Sequence, residues 1–139
     1  MQIRHVPVEY IHQTWPLVKK FIDMSQTQGM DPAAHNYTTD QIQTYVSTGQ
    51  WILIVAVDET NDIHGATVLS FINYPMHMIA FITAMGGKLI TNKETFQQLE
   101  AIAKHHGATK IQALARPSMC RLMENYGFYP GNTLMEYKI

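Results

Sequence analysis

Residues 86–93, Gly-Gly-Lys-Leu-Ile-Thr-Asn-Lys, have the composition of an anion site. Gly86 and Gly87 let a backbone approach a ligand closely. A helix starting just after them turns bare N–H groups and the positive end of its dipole toward negative charge. Thr91 reads as the cap of that helix, because Thr91-x-x-Glu94 has the form of a capping box. Asn92 lies beside it, and Lys88 and Lys93 add positive charge. The same residues also suit an ordinary strand-to-helix loop. For proton transfer, Glu59, Asp62, His64 and His77 stand near predicted strand ends. Their alternatives are plain: a solvated turn for the acids, a turn histidine for His64, an exposed strand start for His77. Tyr126 and Tyr129 carry phenols able to protonate a leaving group, and serve equally as core and rim aromatics.

Metal and thiol chemistry find less support. Seven histidines are present, but His5, His12, His35, His64 and His77 show no ligand spacing. His105 and His106 are neighbours that point about 100° apart on a helix, which does not suit a shared ion. No metal is expected. Cys120 is the sole cysteine, and a short amphipathic helix makes it a small packing residue rather than a nucleophile.

The predicted elements must place these groups. A short extended piece covers residues 3–6. Thr14 suits an N-cap before Trp15-Pro16, with Leu17, Val18, Phe21, Ile22 and Met24 at helical spacing. Residues 27–34 contain Gly29 and Asp31-Pro32 and read as a loop. A second helix opens with the box Thr38-x-x-Gln41 and closes at Gly49. Residues 51–57 form a continuous apolar run, suited to a strand buried on both faces. Turn residues 58–62 lead to a strand at 65–73, and Tyr74-Pro75 to another at 76–84, which makes an antiparallel meander. Phe96, Leu99, Ile102 and Ala103 mark a third helix ending at Gly107. A strand at 110–115, a helix at 118–126 and a last strand at 133–137 complete a mixed α/β plan, β-α-α-β-β-β-α-β-α-β.

Composition sets outer bounds. The 139 residues suit one domain, 1–139, and 46% hydrophobic content supports a core. Ten basic against eleven acidic residues leave a net charge of -1, without the basic excess of a nucleic-acid binder. No apolar run reaches the ~18–20 residues that span a bilayer. A polar start and a single cysteine point to a cytoplasmic protein.

The element order resembles that of the GNAT superfamily of acyl-CoA-dependent N-acyltransferases. Two segments share the resemblance: the helix ending in His106-Gly107-Ala108, and Glu124-Asn125-Tyr126-Gly127-Phe128. It implies a strand pair that splays apart to admit the pantetheine of acetyl-CoA, whose pyrophosphate rests on the next helix. An unknown amine then attacks the thioester, polarised by a backbone N–H near Ala84, Met85 and Gly86. The implied cofactor-binding set is Ala84, Met85, Gly86, Gly87, Lys88, Thr91, Asn92, Lys93 and Arg116. Glu59, His77 and Tyr126 are the catalytic candidates.

A divergent phage and prophage group is also similar, in Trp15-Pro16-Leu17-Val18, Tyr74-Pro75, Gly86-Gly87 and Ala115-Arg116-Pro117. Two places depart from the superfamily pattern. Ile90 and Asn92 stand where the phosphate loop has glycines, and Met123 stands where a tyrosine acid is usual. The departures imply an alternative: a catalytically inactive GNAT-fold protein that assembles with other phage structural proteins, in a host cytoplasm or a virion.

Overall fold

The computed structural model describes residues 1–27 and 36–139. The apolar run after Trp51 forms β2 (Ile52–Val57), and all six of its residues are buried. It lies between β1 (Gln2–Val6) and β3 (Ile63–Asn73), antiparallel to both. β3 turns through Tyr74-Pro75 into β4 (Met78–Gly87), also antiparallel, and β5 (Lys110–Gln112) lies parallel to β4. The five-stranded order is β1-β2-β3-β4-β5. The expected meander is present, and the parallel pair is β4 with β5.

Helices cover both faces of the sheet. On one side α1 (Ile11–Thr27) and α2 (Thr39–Ser47) bury Ile11, Trp15, Val18, Ile22, Ile42 and Val46 against Leu53, Val55 and Val68. On the other, α3 (Lys93–His105) sets Leu99 and Ala103 on Ile52, Ile54 and Leu69. Gln98 also accepts a hydrogen bond from the Ile3 amide (2.8 Å), fastening α3 to β1. α4 (Pro117–Glu124) follows β5. Among the described residues, no helix is long and apolar enough to cross a membrane.

Local signals held in part. The Thr38 hydroxyl accepts the Gln41 amide (3.1 Å) and the Gln41 side chain accepts the Thr38 amide (2.9 Å), as the predicted box requires. Thr14 is not a cap. A 3-10 turn at Val8–Tyr10 runs straight into α1, and the buried stripe already begins at Ile11. Burying that side chain extends the helix a turn upstream and leaves Pro16 inside it. The predicted strand at 133–137 does not form. Leu134, Met135 and Tyr137 are 61–91% exposed, and a segment without a paired neighbour has no ladder to join. The predicted loop at 27–34 lies, beyond Thr27, outside the described residues.

Candidate functional site

β4 and β5 part company. Their ladder pairs Ile79 with Lys110, Ala80 with Ile111 and Phe81 with Gln112, and then stops. β4 continues to Gly87 paired with β3 alone, while the chain after Gln112 leads to α4. Between them opens a cavity of about 360 Å³, walled by residues 82–87 and 113–116. Met24 and Ser25 of α1 and Met119 and Met123 of α4 complete it.

A bulge decides which backbone groups face this opening. Leu69 pairs with Ile82 and Val68 with Ala84, so Thr83 is an extra residue in β4. Ahead of the bulge, Met78 exchanges hydrogen bonds with Thr109 on the β5 side. Beyond it, the Lys88 amide bonds to the His64 carbonyl on the β3 side (2.8 Å). Alternation along a strand therefore turns the Met85 and Gly87 amides toward the open edge. The Met85 N–H donates to the Ser25 hydroxyl at 3.1 Å. On the inner side, buried Thr67 donates to the Ala84 carbonyl (2.7 Å) and fixes the bulged segment.

Gly86 and Gly87 have a structural duty here as well. A β-carbon on Gly86 would overlap the Phe21 carbonyl, and one on Gly87 would meet the His64 carbonyl and the Phe21 ring. Gly87 also adopts φ +73°. These glycines admit α1 to the end of β4, and one turn farther along α1 comes Ser25.

The α3 N-terminus follows, with its cap one residue later than the Thr91 reading. Asn92 Oδ1 accepts the Thr95 amide (2.8 Å), and Thr95 Oγ1 accepts the amides of Asn92 (3.2 Å) and Thr91 (3.0 Å). Asn92-x-x-Thr95 wins because Thr95 is buried and its hydroxyl reaches two orphan donors together. Lys88, Thr91, Asn92 and Lys93 are all exposed, and buried Leu89 pins the connection to the core.

The three catalytic candidates do not converge on the cleft. His77 bonds Thr109 through Nδ1 (3.1 Å) at the opposite end of β4. Five residues short of Ile82, it lies roughly 16 Å from the opening at ~3.3 Å per residue. A general base needs hydrogen-bond reach, so this position does not suit the role. Glu59 sits exposed in the turn between β2 and β3. Tyr126 stacks on Phe96 of α3 at 5.5 Å between centroids. Neither lines the cavity. Arg116 does, at the N-cap of α4, as do Ala84, Met85, Gly86 and Gly87. Sequence reasoning missed Ser25, Thr83 and the bulge. It did single out Met123, which lies in the cavity wall.

Other polar groups have local roles. Asp58 accepts the Thr60 and Asp62 amides and contacts His64 Nε2 at 2.7 Å. The His64 contact first, then the Thr60 side chain, holds its carboxyl well below the usual carboxylate range. Cys120 is exposed, contrary to the buried packing role expected of it, because α4 buries none of its residues. Among the described residues no three His, Cys, Asp or Glu side chains gather as a metal site.

No family model matches the chain, and no curated protein matches it in sequence. Solved structures do match in fold. A probable acetyltransferase aligns over 100% of this chain and 97% of its own, at TM-score 0.69 and 11% identity. A predicted acetyltransferase with acetyl-CoA from Clostridium acetobutylicum aligns over 99% and 95%, at TM-score 0.64 and 17% identity. An aminoglycoside acetyltransferase from an uncultured soil metagenomic sample, in complex with sisomicin, aligns over 99% and 94%, at TM-score 0.68 and 9% identity. These names lend nothing to the phage resemblance, which rests on short motifs alone. The fold is that of the GNAT-like acetyltransferases.

Proposed function

We propose that the cleft between β4 and β5 binds acyl-CoA, with acetyl-CoA as donor, and that the protein transfers the acyl group to an amine. One observation carries this reading: past Phe81, β4 has no strand partner on one side, and its Met85 and Gly87 amides turn toward the gap. An extended chain bearing amide groups can take the place of the missing strand. The four methionines of the wall, Met24, Met85, Met119 and Met123, suit the alkyl parts of pantetheine. The exposed start of α3, with Lys88 and Lys93 beside it, suits a pyrophosphate. The solved acetyltransferase with acetyl-CoA supports the donor, and the one with sisomicin supports an amine as the acceptor's chemical type.

In such a reaction the amine nitrogen bonds to the thioester carbonyl carbon, the C–S bond breaks, and the thiolate takes up a proton. A backbone N–H from the bulged stretch of β4 would polarise the carbonyl. Neither Glu59 nor Tyr126 lines the cavity, so as proposed proton carriers each would work through a bridging water, one taking the amine's proton and the other returning one to the thiolate.

Binding is tested by thermal unfolding with acetyl-CoA. Saturation at 100 times Kd stabilises the native state by about 2.7 kcal/mol. Absence of any shift at millimolar acetyl-CoA rejects the reading. A second reading, a catalytically inactive protein of this fold, draws on Met123, which offers the cavity a thioether and no proton. Binding without release of free coenzyme A across a panel of amines would favour it.

A further inference from the structure

The Met85 amide faces the open edge, yet it is already engaged. α1 reaches it because Phe21 packs on Gly86 and Gly87, and Ser25, four residues on, falls on the same helix face one turn later. Ser25 is 6% exposed and lines the cavity, and its Oγ accepts the Met85 N–H at 3.1 Å. A buried hydroxyl has a cost unless it is bonded, and this strand amide provides a partner.

We propose that Ser25 is a positioning residue that holds the Met85 amide until the amide carbonyl of a ligand laid along β4 takes that N–H over. The inference rests on the acyl-CoA reading of the cleft. Ser25 then governs affinity in a specific direction. In the free protein the amide is satisfied from within, so ligand binding exchanges one hydrogen bond for another and gains little. Without the hydroxyl the amide waits unpaired in a half-buried site, and the ligand's carbonyl satisfies it outright. The Ser25→Ala protein is therefore less stable when empty and tighter when bound. A residue needed only for packing would lower both.

The test pairs calorimetric titration of coenzyme A into the wild type and Ser25→Ala with backbone amide NMR of the wild type during the same titration. The expected result is about fivefold tighter binding by the variant, the equivalent of one ordinary hydrogen bond, and a marked shift of the Met85 amide signal. Equal or weaker binding by the variant, or a Met85 signal that stays in place as the cleft fills, overturns the inference and leaves the acyl-CoA reading standing. Failure of both proteins to bind coenzyme A overturns the reading and this inference together. The NMR arm uses the wild type alone, so the test survives a variant that folds poorly.

Discussion

Phe81 and Gln112 are the last residues paired between β4 and β5, and two positions beyond Phe81 comes the bulge at Thr83. The two features act together. The first frees one side of β4, and the second chooses the amides that face the vacated side. Without the bulge, alternation would present Ala84 and Gly86 there instead.

Gly86→Ala places a methyl group against the Phe21 carbonyl of α1. Backbone cannot rotate away as a side chain can, so α1 must shift. A loss of about 1–3 kcal/mol in unfolding free energy is expected, as for overpacked sites. Gly131→Ala meets nothing within 4 Å and should stay within about 0.5 kcal/mol of the wild type. Urea unfolding of the two variants decides; equal stability would mean that α1 does not press on β4.

Asn92→Ala removes the side chain that caps α3 and should lower stability by about 1 kcal/mol. Thr91→Ala removes no capping acceptor and should have less than half that effect. Chemical denaturation of both variants separates the two positions. A larger loss for Thr91→Ala would restore the cap to where Thr91-x-x-Glu94 first suggested it.

That one-residue error shows how far sequence carries. On paper Thr91/Glu94 has the standard form of the box, and the overlapping pair Asn92/Thr95 does not. Burial of Thr95 decides between them, and burial belongs to the folded chain. β2 was legible because six consecutive apolar residues leave no other home than a central strand. The bulge was not, since a strand register is a property of two segments and neither shows it alone. Ser25 was hidden for a related reason: a serine on a helix says nothing until the packing of Phe21 on Gly86 aims it at Met85. The strand read into residues 133–137 failed in the opposite sense, for no neighbouring strand accepts the segment.

His5 supplies a pH dependence. Burial first, then the nearby His106 and His105 rings, lowers its pKa from the ordinary 6.5. His5 and His106 meet edge to face at 4.9 Å. The unfolded chain thus takes up this proton at a higher pH than the folded one. The stability contribution is complete above pH 6.5 and is lost as pH falls through the lowered folded value. Melting temperatures from pH 7.5 down to 5 should decline more steeply for the wild type than for His5→Gln. Parallel profiles would show that His5 does not titrate with folding.

The most direct test of the central claim is a crystal structure of the protein grown with coenzyme A. The account predicts pantetheine density in the gap between residues 82–87 and 113–116, with an amide carbonyl accepting from Met85. Coenzyme A seated elsewhere on the surface, or strands β4 and β5 closed on each other beyond Phe81 and Gln112, would contradict it.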